Sequence, residues 1–267
     1  MNMYLYELKS LRKSATIWTC VLTAIAALYL SLYPSMTRDA QNFQKLLGGY
    51  PPAVRAMLGI NLAYITSILG FYSFAFSFVT LCGAIQGMHL GASILSKESR
   101  ERTADFLLVK PVSRISIVTA KLLAALTIFI ATDIVYYAAS FAITNTVKMS
   151  DFSGKLFFMI NLTLFFLQVI FFSLGIVISV FFQKLKSTLP ISLGVVFGFY
   201  MIGALVAAGS SNETARYLSP FKYFDISYIL QHSAYEAPYM LTGAAVVIIA
   251  IFVTYIIYMK KDIHAVG

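Results

Sequence analysis

The chain has 267 residues, 59% of them hydrophobic and 12% charged, with a formal net charge of +9 and a mean hydropathy of +0.80. This lies outside the soluble globular range and excludes an ordinary water-soluble domain, so length is counted in membrane spans of about 20 apolar residues. The positive charge needs no nucleic acid to explain it, because it sorts unevenly between the two sides of the spans.

In chain order, Met1, Tyr4, Leu5, Leu8 and Leu11 share one helical face and Lys9, Arg12 and Lys13 lie elsewhere, so residues 1–13 are expected as an amphipathic helix lying in the interface. No small-residue cleavage site follows the first apolar run, and no cleavable signal peptide is expected. Uncharged runs then place spans at 15–33, 63–94, 120–144, 156–182, 188–209 and 239–259 within a single transmembrane domain covering 1–267. The loop from Pro34 to about Asn61 is too apolar for a free linker. The segment 210–238, with Pro220 and several aromatics, predicts short helices at the interface.

With the N-terminus inside, the inner segments hold 13 Lys and Arg residues and the outer ones hold 7. Both termini are therefore expected in the cytoplasm of a multi-pass cell-membrane protein.

Within the second span Gly83, Gly87 and Gly91 recur every four residues, a smooth stripe on which another helix can approach closely; Gly194 and Gly198 repeat it once in the fifth. Two uses fit: packing within one subunit, or contact with a second subunit or a moving neighbour. Asp133 interrupts the third span. A charged carboxylate there costs at least about 2.5 kcal/mol on insertion scales, so it needs a partner, and Tyr136 and Tyr137 are in reach. A structural hydrogen-bonded role and a substrate or proton contact both remain open. Phenylalanine pairs crowd the fourth span, among them Phe157 and Phe158, and Phe171 and Phe172. Aromatics on more than one face suit a lipid-facing peripheral helix, and an apolar path between subunits then points to a hydrophobic or amphipathic cargo. Cys20 and Cys82 lie inside spans without metal-ligand spacing and read as small buried residues. His89, His232 and His264 share no helix at ligand spacing, so no metal site is expected.

Eight charged residues fall in the 19 positions of SKESRERTADFLLVKPVSR, residues 96–114. From Lys97 to Lys110 good helix formers carry Thr103, Phe106 and Leu107 at three-to-four spacing, which predicts a short amphipathic helix on the inner side that Pro111 ends. It reads either as a solvated surface helix or as a docking element whose mixed charges (Glu98, Arg100, Glu101, Arg102, Arg114) set register. In the second reading Phe106, Leu107 and Leu108 fill a partner's groove.

The run Glu98, Thr103, Leu107, Leu108, Pro111, Ser113, Arg114 and Lys121 resembles the signature of type-2 ABC exporter permeases, roughly Glu, polar residues, Gly-Thr, Leu-Leu, then Pro-x-Ser-Arg and a Lys opening the next span. Ser219–Phe221 (SPF) and Lys261–Ile263 (KDI) extend the likeness over nearly the whole chain. Arg102 departs from it, standing where the family has Gly. The resemblance implies an all-α polytopic integral membrane protein with six transmembrane helices, an N-terminal interfacial helix and a cytoplasmic coupling region at 96–118. It implies further a permease that dimerises with an identical or paralogous subunit and binds two cytoplasmic ATPase subunits. ATP and Mg would be held by those partners, since the chain has no G-x-x-x-x-G-K-[ST] and no catalytic residue or cofactor of its own is expected. Other classes left standing are a proton-coupled secondary transporter using Asp133 and a membrane anchor or enzyme subunit.

Overall fold

The computed structural model describes residues 3–96, 113–182, 187–209 and 213–260. Every regular element among them is helical: α1 (Met3–Arg38), α2 (Ala40–Gly48), α3 (Pro52–Met57), α4 (Ile68–Ile94), α5 (Arg114–Val147), α6 (Gly154–Phe181), α7 (Leu189–Ala208), two short 3₁₀ turns (Glu213–Leu218 and Pro220–Lys222), α8 (Ile226–His232) and α9 (Ala237–Lys260). Six of these, α1, α4, α5, α6, α7 and α9, are long and apolar enough to cross a membrane. Their connections make an up-and-down bundle. One end, here the amino-terminal end, gathers the start of α1, the end of α4, the start of α5 and the end of α9; the far end carries α2, α3, the 3₁₀ turns and α8.

The interior is built on α4 and α6, which pack along each other more extensively than any other pair and are the most enclosed spans. Lipid is as apolar as leucine, so close approach rather than water exclusion must hold such a pair together. Here the glycine stripe acts within the chain. A Cβ on Gly87 would collide with the Gln168 carbonyl, one on Gly91 with the Phe172 carbonyl, and one on Gly175 would lie 2.6 Å from the Met88 carbonyl and 3.0 Å from the Gly91 Cα. Gly83 faces Leu164 and Gln168 in the same groove. Gly83, Gly87 and Gly91 are thus taken up by α6, which is the first of the two uses the stripe left open, packing within one subunit. Around Gly194 and Gly198 on α7, by contrast, a Cβ would meet nothing within 4 Å.

The phenylalanine reading of α6 is corrected. Phe157, Phe171 and Phe172 are buried and α6 is central, while Phe158 turns outward and Phe181 and Phe182 are exposed at its end. α1 packs along α5 and α4, burying Leu22, Ala26 and Leu30 and leaving Cys20 exposed on its other face, contrary to the reading of that cysteine as buried. α9 lies against α6 and α5, and α7 leans on α3, α4 and the 3₁₀ turns.

Residues 3–13 are not a helix apart. α1 runs unbroken for 36 residues, about 54 Å at 1.5 Å per residue, well beyond the roughly 30 Å of hydrocarbon. No glycine or proline interrupts it before Pro34, and Thr37 Oγ1 donates to the Tyr33 carbonyl at 3.0 Å where that proline thins the backbone ladder. The second span begins at Ile68 rather than 63, because Ser67 caps α4 by accepting from the Gly70 N–H at 3.1 Å. The stretch 34–61 folds as α2 and α3, and 213–232 as short helical turns, so both apolar loops are structured.

Candidate functional site

The connection between α4 and α5 is entered at Ser96 and left at Ser113. Glu98, Arg100, Glu101, Arg102, Thr103, Phe106, Leu107, Leu108 and Pro111 lie outside the described residues, but the two flanks are defined. α5 starts where it does because Ser113 Oγ accepts from the Ser116 N–H at 3.2 Å, an N-cap that gives the serine of the Pro-x-Ser-Arg run a physical function. One residue on, Arg114 Nη1 donates to the Met259 carbonyl at 3.2 Å, at the C-terminal end of α9. Two turns further, the fully buried Lys121 donates from Nζ to the Ile94 carbonyl at 2.6 Å, in the last turn of α4, and pairs with the Glu7 carboxylate of α1 at 3.3 Å.

Both cations therefore sit on carbonyls that helix geometry leaves unpaired at a C-terminus, where the helix dipole also favours positive charge. Four spans, α1, α4, α5 and α9, are laced together at the two flanks of the connection. In the sequence Lys121 stands out only as the last residue of the motif. Glu7 was missed, although it is the only acidic residue before Asp39, and a lone carboxylate in an otherwise basic amphipathic segment is the signal that it has a partner.

A second polar cluster lies at mid-span. The Gln168 amide donates to Asp133 Oδ2 at 2.9 Å and Oδ1 at 3.2 Å, and its oxygen faces the Gln86 side chain at 3.2 Å; the opposite amide orientation would set oxygen against carboxylate. Asp133 on α5 is thereby joined to α6 and α4. Neither tyrosine is its hydrogen-bond partner as first expected: Tyr136 is bonded to Tyr72 at 2.9 Å, which in turn donates to Asn161 Oδ1 at 2.7 Å, and Tyr137 stacks on Phe141. The reason is the α6 register, which brings Gln168 level with Asp133 and Asn161 level with Tyr72.

At the far end, the buried Ser219 of the SPF segment donates to the Phe199 carbonyl of α7 at 2.7 Å. Arg216 grips Glu236 with two nitrogens, donates to the Lys222 carbonyl at 3.2 Å and lies over the Tyr239 ring at 4.1 Å. Its pKa is raised above the ordinary arginine value, by the Glu236 hydrogen bond and charge acting against burial.

Six apolar spans, with the charged connection between the second and the third, are the layout that the resemblance implied. A family profile described as "ABC-2 family transporter protein" matches residues 1–263. The chain belongs to the ABC-2 transporter family. No curated protein matches it significantly. As an ABC-2 permease it is a multi-pass membrane subunit of an ABC transporter, a class of machine whose permeases work with ATPase subunits. Within this permease the lacing at Glu7, Lys121 and Arg114 brackets the charged connection between α4 and α5.

Proposed function

We propose that this ABC-2 permease is the membrane half of an ATP-driven exporter. It pairs with a second permease, identical or paralogous, in the cell membrane, with both termini in the cytoplasm. Residues 96–118 dock on two ATPase subunits that hold ATP and Mg, and this chain carries no catalytic group. The observation that carries the reading is the family match over 1–263 together with the lacing of α1, α4, α5 and α9 around the charged connection. Closure of the ATPases would push on that connection. Because Lys121 and Arg114 join its exit to three other spans, the push would move them as one body rather than bend α5 alone. A hydrophobic or amphipathic cargo would cross between the two permeases.

Copurification with an ATPase subunit tests the assembly; a chain that purifies alone, monomeric and active or inert, sinks it. The coupling role is tested at Glu98. Glu98→Lys should cut ATP-dependent transport by tenfold or more, about the effect of reversing one well-placed charge at a docking contact, while the thermal unfolding temperature stays unchanged. Unaltered transport in that variant removes 96–114 as the docking element.

A second reading, a proton-coupled transporter using Asp133, is favoured by one observation: that carboxylate is held between three spans at mid-depth. Asp133→Asn separates the two. An asparagine keeps an oxygen for Gln168, so the exporter should retain transport, whereas a proton relay should lose it together with sensitivity to the proton gradient.

A further inference from the structure

A cavity of about 590 Å³ opens among the short helices at the far end and descends between α4, α6 and α7. Its walls run from Arg55 and Lys222 at the mouth to Thr80 on α4, twelve residues or about 18 Å below the start of that helix. The volume lies within the range that small-molecule sites occupy.

The chemistry changes with depth. In the lower part the hydroxyls of Ser73, Ser77, Thr80 and Thr163 each donate to a carbonyl of their own helix, at 2.7 to 2.9 Å. These four side chains thus offer an entering group no free donor, and Leu167, Ala204 and Ala207 complete an apolar surround.

At the mouth the situation is reversed. Arg55 Nε is cut off from solvent with no hydrogen-bond partner among the described residues, a costly arrangement for a cation. The Lys222 ammonium makes no hydrogen bond or ion pair among them either, and its stem runs beside Gly203, where a Cβ would lie 3.7 Å from its Cε. Burial lowers the Lys222 pKa from the ordinary lysine value, with Asp225 opposing and Arg216 adding to the shift. Asp225 does not neutralise the mouth: it is exposed, and Oδ1 accepts from the Ser227 N–H at 2.8 Å as the cap of α8. Arg216 is already engaged by Glu236.

The mouth is also held in shape. Asn61 donates to Ser227 Oγ at 3.1 Å, joining the α3 side to α8. Gly59, at φ +68°, makes the left-handed turn that brings the segment after α3 back toward α4. Two under-partnered cations are thus fixed at the rim of a slot whose depth offers little but apolar contact.

We propose that this cavity binds an anionic amphiphile, its phosphate or carboxylate headgroup between Arg55 and Lys222 and its apolar tail in the slot between α4, α6 and α7. A cation finds two like charges at the mouth, and a free anion leaves the slot unfilled. Binding to this chain does not depend on a motor or on a second permease, so the test stands apart from the exporter reading.

The full-length chain in dodecyl maltoside would be titrated with dodecyl phosphate, with inorganic phosphate and dodecyltrimethylammonium as separate arms, reading bound ligand and unfolding temperature. Dodecyl phosphate should bind saturably and raise the unfolding temperature. Lys222→Met and Arg55→Gln should each weaken it roughly tenfold or more, as expected for loss of a charge-assisted hydrogen bond, and Lys222→Arg should retain it. The unliganded unfolding temperature of each variant reports folding, and if Lys222→Met does not fold, Arg55→Gln carries the result. Equal affinity for inorganic phosphate would overturn the tail, equal affinity for the ammonium amphiphile would overturn the headgroup, and unchanged binding in both charge-removing variants would overturn the site.

Discussion

Lys121→Met should unfold or strongly destabilise the permease, lowering its thermal midpoint in detergent on the order of 10 °C. The substitution leaves the buried Glu7 carboxylate without its cation and the Ile94 carbonyl without its donor, at a helix end already short of partners. Removing one member of a buried pair costs about 3–5 kcal/mol, because the remaining charge stays desolvated; each kcal/mol corresponds to roughly 2–4 °C in a domain of this size. The double variant Glu7→Leu, Lys121→Met removes both charges and should recover most of the midpoint, since apolar replacement of a whole buried pair is often neutral. Transport separates scaffold from transmission: if the lacing passes force between spans, the double variant folds yet transports poorly. A double variant that regains both midpoint and transport would make the pair a fold-specifying contact and nothing more. If Lys121→Met alone left the midpoint where it was, the pair would contribute nothing to the fold.

The six spans were legible because each is an uncharged run bounded by charged or turn-forming residues, and lipid imposes that pattern whatever the packing. Which spans lie inside was not legible. In a soluble helix apolar and polar faces separate, but all six spans here are apolar nearly all round, so periodicity carries no inside signal and α6, rich in phenylalanine, read as peripheral when it is central. Span lengths beyond the bilayer were similarly invisible: residues 3–13 look interfacial by their charges, yet nothing in them breaks the helix that becomes the first span. At the site, the serine, arginine and lysine after the charged connection were noticed as a pattern, and the structure supplies the reason, one cap and two cations on helix C-terminal carbonyls. Glu7 is 114 positions from Lys121, and Gln168 is 35 from Asp133. Partners that distant are set by helix register, which no local spacing encodes. The far-end cavity was equally hidden, since its walls come from six separate segments.

Gly91→Leu should be as damaging as loss of Lys121, and the glycines of α7 provide its internal control. At Gly91 even a Cβ would strike the Phe172 carbonyl and lie 3.0 Å from the Gly175 Cα, so a side chain can enter only if α4 and α6 part along their length. Overpacking a well-fitted core costs typically about 1–3 kcal/mol and occasionally more, and here the obstacle is backbone, which no rotamer change relieves. The gain in helix propensity on replacing glycine, about 1 kcal/mol toward alanine, is too small to compensate. The same spacing of four at Gly194 and Gly198 has a different physical meaning, since nothing lies within 4 Å of either. Gly194→Leu should therefore leave the midpoint of the isolated chain within about 0.5 kcal/mol of the parent, as for other surface positions. Were the α7 stripe to face a second permease, the same leucine would weaken association and leave the subunit folded, which crosslinking in the membrane would read directly. Equal midpoints for Gly91→Leu and Gly194→Leu would mean that α4 and α6 do not approach as closely as their glycines allow, and the central pair of the bundle would have to be redrawn.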